Sequence, residues 1–250
     1  MTDRHLTGRV VIVTGAAQGI GRCIAERMAS DGASVVLADI QHERAGEVAA
    51  SLRGRGLEAI ATFVDIREPA SAEDMVAFVL SSFGHVDVLV NNAGLDAPEG
   101  SAWSISEAHW REVVDTDLSG AWWCTKAVLP HMMARRSGRI IFISSGSARI
   151  GQHDISVAYN ASKAGLIGLT IGLSTQLEGS NILVNAIAPG PTGTGQPMSE
   201  EEWAAHERQF PLGIVGPEPV AHACLYLARD SGDWISGAVL NVSGGWWRGF

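Results

Sequence analysis

Cysteine is scarce in this 250-residue chain, and the three present, Cys23, Cys124 and Cys224, are too dispersed for a CxxC or a Cys/His metal pattern. An odd, scattered set reads as small buried hydrophobes in a reducing compartment, and no metal site is expected. Positive charge is also in deficit: 18 Lys and Arg stand against 27 Asp and Glu, for a formal net charge of −9. Nucleic acid and anionic membrane both need a positive patch, so neither is expected as a partner. Arg135, Arg136 and Arg139 are too few to reverse that, and read as cations near a helix C-terminus. No apolar run reaches the roughly eighteen residues of a membrane span, and the first fifteen residues lack a leader's apolar core. The expected location is cytoplasmic.

What is present is an alternation of strand and helix patterns without repeats or low-complexity tracts. At this length residues 1–250 can form one α/β domain around one sizeable core. Arg9–Val13 is a short β-branched run leading into Thr14-Gly15-Ala16-Ala17-Gln18-Gly19-Ile20-Gly21 and then a helical pattern. Between a strand and a helix, Gly15 and Gly19 let the backbone turn tightly and approach a pyrophosphate. Gly21 lets the helix pack close to the strand, and the helix N-terminus faces the anion. A second strand, Ser34–Asp39, ends in a carboxylate placed to accept hydrogen bonds from an adenosine ribose. Asp39 would repel a 2′-phosphate and Ala16, Ala17 and Gln18 offer no compensating cation, so NAD(H) is expected and NADP(H) disfavoured. Arg44 is expected on a solvated helix face.

Further on come a helix from Glu43, a strand over 58–64, and Asp65-Ile66, where an acid meets an adenine amine or else caps the helix beginning near Glu68. The strand Val86–Val90 runs into Asn91-Asn92-Ala93-Gly94, small residues that let the backbone pass under a cofactor. The alternation predicts right-handed βαβ units and a Rossmann-type, doubly wound parallel sheet of about seven strands, with helices on both faces. Glu107–Arg135 is the longest helical pattern, with Pro130 bending it or marking its last turns. Residues 190–212, framed by proline and glycine at the end of a strand, are expected to form a substrate lid.

Ile143–Gly165 carries the chemistry. Tyr159 and Lys163 stand four apart, so on a helix they share a face one turn apart. A fixed ammonium beside a phenol favours the phenolate, which makes the pair a general acid/base. Ser145, at the end of the strand Arg139–Ile143, offers a hydroxyl to the same substrate oxygen.

With these pieces in register, the whole chain resembles the short-chain dehydrogenase/reductase family. The matching motifs are Thr14-Gly15 through Gly19 and Gly21, Asn91 to Gly94, Ser145, Tyr159 with Lys163, Pro189-Gly190 with Thr194, and the terminal Ser236-Gly237 to Gly244-Gly245 segment. The resemblance implies an NAD-dependent oxidoreductase interconverting a secondary alcohol and a ketone. Tyr159 is then the acid/base, Ser145 orients the substrate oxygen, and Lys163 also holds the nicotinamide ribose. It further implies cofactor contacts from Gln18, Ile20, Ile40, Asp65, Ile66, Asn92, Ala93, Pro189, Gly190, Thr192 and Thr194, and a homotetramer packed through its long helices. The C-terminal aromatic tail could then reach a neighbouring subunit.

Two departures stand out. Asp117 occupies a slot where the family usually has Asn, which is expected to preserve activity with a shifted pH profile. The offset from Ser145 to Tyr159 is one residue longer than is common, read as an insertion near Gly151 to Asp154, with Ser147 as an alternative source of the hydroxyl. The expected substrate wall is Asp96 to Glu99, Ser147, Arg149, His153, Asn160, Pro191 and Trp203. A sugar-nucleotide epimerase or dehydratase can share the Tyr/Lys pair, but the glycine spacing and short chain count against it. A non-catalytic, cofactor-binding regulatory or scaffold protein is suggested only by Asp117 and opposed by intact Ser145, Tyr159 and Lys163.

Overall fold

The computed structural model describes residues 4–95, 100–151, 153, 155–193, 199–201, 204, 212–213 and 216–248. Strands β1 (Val10–Thr14), β2 (Ser34–Asp39), β3 (Ala59–Phe63), β4 (Val88–Asn91), β5 (Gly138–Ile143), β6 (Ile182–Pro189) and β7 (Val239–Val242) form one sheet. Its order is β3-β2-β1-β4-β5-β6-β7 and each neighbouring pair is parallel. The central strands are apolar on both faces because helices cover both. In β1, Val11 and Val13 join the core under α1 (Gly19–Ser30), α2 (His42–Gly54) and α7 (Glu218–Ala228). Val10 and Ile12 point the other way, into the core under α3 (Pro69–Phe83), α5 (Gly120–Arg135) and α6 (Val157–Leu177).

Strand order reverses between β1 and β4, and a crevice opens outside their carboxyl ends, as it must where successive connections leave toward opposite edges. The Thr14 hydroxyl spans this point. It accepts from the Asn92 and Ala93 N–H groups, both at 3.1 Å, and donates to the Val90 carbonyl at 3.4 Å.

The pattern over 107–135 is not one uniform helix. α4 (Glu107–Val114) passes through a π-helical turn, Asp115–Ser119, before α5 begins, and Pro130 lies inside α5. The interruption therefore sits at Asp117, well before the proline. Of the expected lid, residues 194–198, 202–203 and 205–211 lie outside the described set. No helix among the described residues is long and apolar enough to cross a membrane.

Candidate active site

The crevice is a cleft of about 1430 Å3 running from Asp39 and Arg44 at one end to His153, Tyr159 and Trp246 at the other. It exceeds the room a single drug-sized ligand needs, and would hold a dinucleotide together with a small substrate.

At the first end the lining is mostly backbone. Gly15 and Gly19 take left-handed φ values of 66° and 54°, which side-chain-bearing residues rarely adopt. A Cβ on Gly21 would overlap the Gly15 carbonyl oxygen and the Asn92 amide nitrogen, so only glycine lets helix and turn meet. The Asn92 side chain clamps that turn by donating to the carbonyls of Thr14 (2.9 Å) and Gly15 (3.1 Å). No side chain caps the N-terminus of α1, which leaves its first N–H groups directed at the cleft.

Buried Asp39 accepts from Ala17 N–H through Oδ2 and from Gln41 N–H through Oδ1, each at 2.8 Å. One carboxylate thus fixes the glycine turn to the end of β2 while lining the cleft. Arg44 lies on an exposed helix face, as expected, and that face also borders the cleft. It stands in the first turn of α2, where its guanidinium donates to Gln18 Oε1. Asp65 does not cap α3, whose N-cap is Glu68. Its carboxylate is engaged by Arg67 (Oδ1 to Nε 2.9 Å), which holds its pKa below the usual carboxylate range. Ile20, Ile40 and Ile66 also line the cleft.

At the other end the lining is side chains from distant segments. Tyr159 and Lys163 lie buried on α6, with Lys163 Nζ 5.3 Å from the Tyr159 ring centroid. Nζ donates to the Ile143 carbonyl at 3.4 Å and stands 3.7 Å from Asp117 Oδ2. The backbone of that helix turn is pinned by Ser144, whose hydroxyl donates to the Lys163 carbonyl at 2.7 Å. Ser145 Oγ accepts from Ser147 N–H (3.1 Å) and from the Ser147 hydroxyl (2.8 Å). Ser147 is therefore a support for Ser145 and lines the cleft beside it.

Asp117 is 1% exposed. Its Oδ1 accepts from Leu95 N–H at 2.7 Å, while Oδ2 has, among the described residues, no hydrogen bond and the Lys163 ion pair alone. Burial pushes its carboxyl above the ordinary carboxylate range, opposed by the Lys163 charge and the Leu95 N–H. The extra residue of the π-helical turn aims this side chain under the cleft. Gly94 makes room for the pair, since a Cβ there would stand 3.0 Å from both Asp117 Oδ1 and Lys163 Nζ.

Ala93, Gly94, Pro189, Gly190, Pro191, Thr192 and His153 also line the cleft. Two expected wall residues do not. Arg149 is exposed, its guanidinium 5.8 Å from the Trp247 ring centroid. Asn160 buries Oδ1 without a hydrogen-bond partner among the described residues and is absent from the cleft lining. Asp96 to Glu99, Thr194 and Trp203 fall outside the described residues. Sequence reasoning missed Leu95, Thr116, Ile150, Ile155 and Trp246 as lining residues. For Trp246 a signal existed in Gly244-Gly245, a turn that folds the tail back on this chain's own cleft.

Comparison with known proteins agrees with this architecture. A short chain dehydrogenase family model matches residues 9–205. The chain is 38% identical over 243 residues to cis-4-hydroxycyclohexanecarboxylate dehydrogenase of Sinomonas cyclohexanicum, covering 95% of this chain and 96% of that one. It is 35% identical over 246 residues to the 3-oxoacyl-[acyl-carrier-protein] reductase FabG of Escherichia coli (strain K12), covering 96% and 98%. The crystal structure of gox2181 superposes with a TM-score of 0.91 at 32% identity, covering 98% of this chain and 97% of that one. On sequence, fold and cleft alike, this chain belongs to the short chain dehydrogenase family of nicotinamide-dependent oxidoreductases.

Proposed function

We propose that the chain interconverts a secondary alcohol and a ketone, with NAD(H) as cofactor in preference to NADP(H). The observation that carries this reading is the buried Tyr159 ring beside Lys163 Nζ, on the same cleft as Ser145. The residues fit a dinucleotide: Gly15, Gly21 and Gly190 bring backbone where any Cβ would collide, and Asp39 lies where the adenosine ribose would end.

Bound nicotinamide would accept a hydride from the carbinol carbon, or return it to the ketone. Tyr159 takes the carbinol proton in the oxidative direction and gives it back in the reductive one. Ser145 Oγ already accepts two hydrogen bonds from Ser147, which leaves its own O–H free to donate to the substrate oxygen. Lys163 holds positive charge under the phenol and would bond the nicotinamide ribose. Asp117 and the Ile143 carbonyl fix the ammonium in place. Thr192 and Pro189 with Gly190 would border the nicotinamide, and Asp65 and Ile66 the adenine.

Asp39 supports NAD(H), since a second anion on the ribose would meet its carboxylate; Arg44 beside Gln18 is a cation at the cleft wall that tempers that preference. The printed names of the relatives, a hydroxycyclohexane dehydrogenase and an oxoacyl reductase, are consistent with alcohol–ketone chemistry in either direction. Trp110 on α4 and Val157 and Ile171 on α6 are exposed apolar side chains, which supports a homotetramer assembled through these helices. The net charge and free thiols suit a reducing cytoplasm.

The test is steady-state turnover of secondary alcohols, polyols, sugars and hydroxysteroids with NAD and NADP in parallel, with Tyr159→Phe as control. Turnover that favours NAD and disappears in the variant supports the reading. Cofactor binding without turnover of any carbonyl compound would favour a regulatory role, and a monomer in sedimentation would remove the tetramer.

A further inference from the structure

Beyond β7 the backbone passes through two successive left-handed residues, Gly244 (φ 61°) and Gly245 (φ 80°), which side-chain-bearing residues rarely adopt. The turn is fastened by Trp246 N–H to the Ser243 carbonyl (3.1 Å), Trp247 N–H to Ser243 Oγ (3.2 Å) and Asn241 Nδ2 to the Trp247 carbonyl (2.7 Å). Trp247 is buried, with the Arg149 guanidinium near its ring. The neighbouring indole, Trp246, is thereby laid on Gly146, the residue directly after Ser145. A Cβ on Gly146 would stand 2.6 Å from the indole Cζ3 and 2.9 Å from Cε3. Three glycines are thus committed to holding one half-buried aromatic ring at the cleft wall beside the catalytic hydroxyl.

Around that ring the wall is mixed: Ile150, Ile155 and Pro191 are its apolar members, and Ser147, His153 and Thr192 its uncharged or weakly basic polar ones among the described residues. The charged side chains at this end are Lys163 and its buried partner Asp117; at the opposite end Arg44 meets Gln18, and Arg67 pairs with Asp65 in the field of Glu112.

We propose that Trp246 is a specificity-determining residue, the wall against which the carbon skeleton of an uncharged cyclic secondary alcohol packs while its oxygen meets Ser145 and Tyr159. This rests on the alcohol–ketone reading above. A short open-chain alcohol can reach Ser145 and Tyr159 without covering the indole. A six-membered ring covers it and removes apolar surface of both partners from water. Transition-state binding then discriminates for the ring by the area that Trp246 supplies.

The experiment measures kcat and KM for cyclohexanol and propan-2-ol at saturating NAD in the wild type, Trp246→Ala and Trp246→Phe. Trp246→Ala should lower the cyclohexanol to propan-2-ol ratio of kcat/KM by about tenfold, mostly through the KM for cyclohexanol, and Trp246→Phe should restore part of it. Calorimetric titration of cyclohexanone into the NAD-saturated enzyme, a pair that cannot react, should show a dissociation constant weakened by a similar factor. Gly146→Ala displaces the same ring and should copy the loss of selectivity. If Trp246→Ala does not fold, Trp246→Phe and the titration decide. An unchanged ratio in a folded variant, an equal fall on both alcohols, or a wild type that prefers propan-2-ol overturns the inference. A wild type inactive on every alcohol overturns the dehydrogenase reading and this inference with it.

Discussion

At the Gly15–Asp39 end of the cleft, what faces the cavity is held by main chain. Two glycines are in left-handed conformation, a third leaves no space for a Cβ, and one carboxylate is pinned by two peptide N–H groups. At the Ser145–Lys163 end, what faces the cavity is side chains from the end of β5, from α6, from a π-helical turn and from the tail. On the proposed reading the first end recognises a shape common to every dinucleotide, and backbone is suited to that because it cannot vary. On the same reading the second end moves a proton and selects a substrate. Those tasks need functional groups whose surroundings can be tuned one residue at a time.

The largest expected effect breaks the second end alone. Tyr159→Phe removes the proton-carrying oxygen while keeping the ring among Val113, Ala158 and Leu95. Turnover should fall roughly a thousandfold with NADH affinity retained, measured by initial rates and by NADH fluorescence titration. Gly21→Ala breaks the first end in the opposite sense. Its Cβ overlaps fixed backbone, so overpacking should cost about 1–3 kcal/mol in urea unfolding, and cofactor affinity should drop roughly tenfold or more.

Asp117→Asn sharpens the contrast by changing charge with little change in shape. A carboxyl whose folded pKa is raised contributes stability that is fully present below its unfolded value and is lost as pH rises through the folded value. The variant should therefore gain on the wild type in thermal melts as pH rises above the ordinary carboxylate range, with the gap opening toward the alkaline side. Its pH–rate profile should shift as well; an unchanged profile would separate Asp117 from the chemistry. The smallest effect is expected from Arg44→Ala. An exposed guanidinium bonded to Gln18 should alter the NAD to NADP ratio of kcat/KM by less than about fivefold, with NADP the cofactor that loses.

The same contrast explains what could be read before the fold was known. The sheet was legible because its strands are short runs dominated by apolar residues, and the glycine turn because its spacing acts over eight consecutive residues. Tyr159 and Lys163 were legible because four residues make one helical turn. The π-helical turn at 115–119 was not, since one added residue leaves the apolar stripe of α4 and α5 unbroken on paper. Arg44 read as solvated, and it is exposed. Only the packing of α2 beside Gln18 shows that its solvent is the mouth of the cleft. The place of Trp246 depended on two backbone angles more than 80 residues after Tyr159; Gly244-Gly245 marks a turn there, and only the packing shows where it leads.

The Thr14 hydroxyl, shared among Val90, Asn92 and Ala93, closes the seam between β1 and β4 where the crevice begins. A crevice stitched across its own base cannot be widened by an incoming ligand without breaking those bonds. The ordering of this region is then completed when the chain folds, so that little conformational entropy remains to be lost on ligand capture. The first encounter with a dinucleotide should accordingly resemble docking into a rigid slot, with association rates that respond to ionic strength and hardly at all to the viscosity-dependent motions of the sheet.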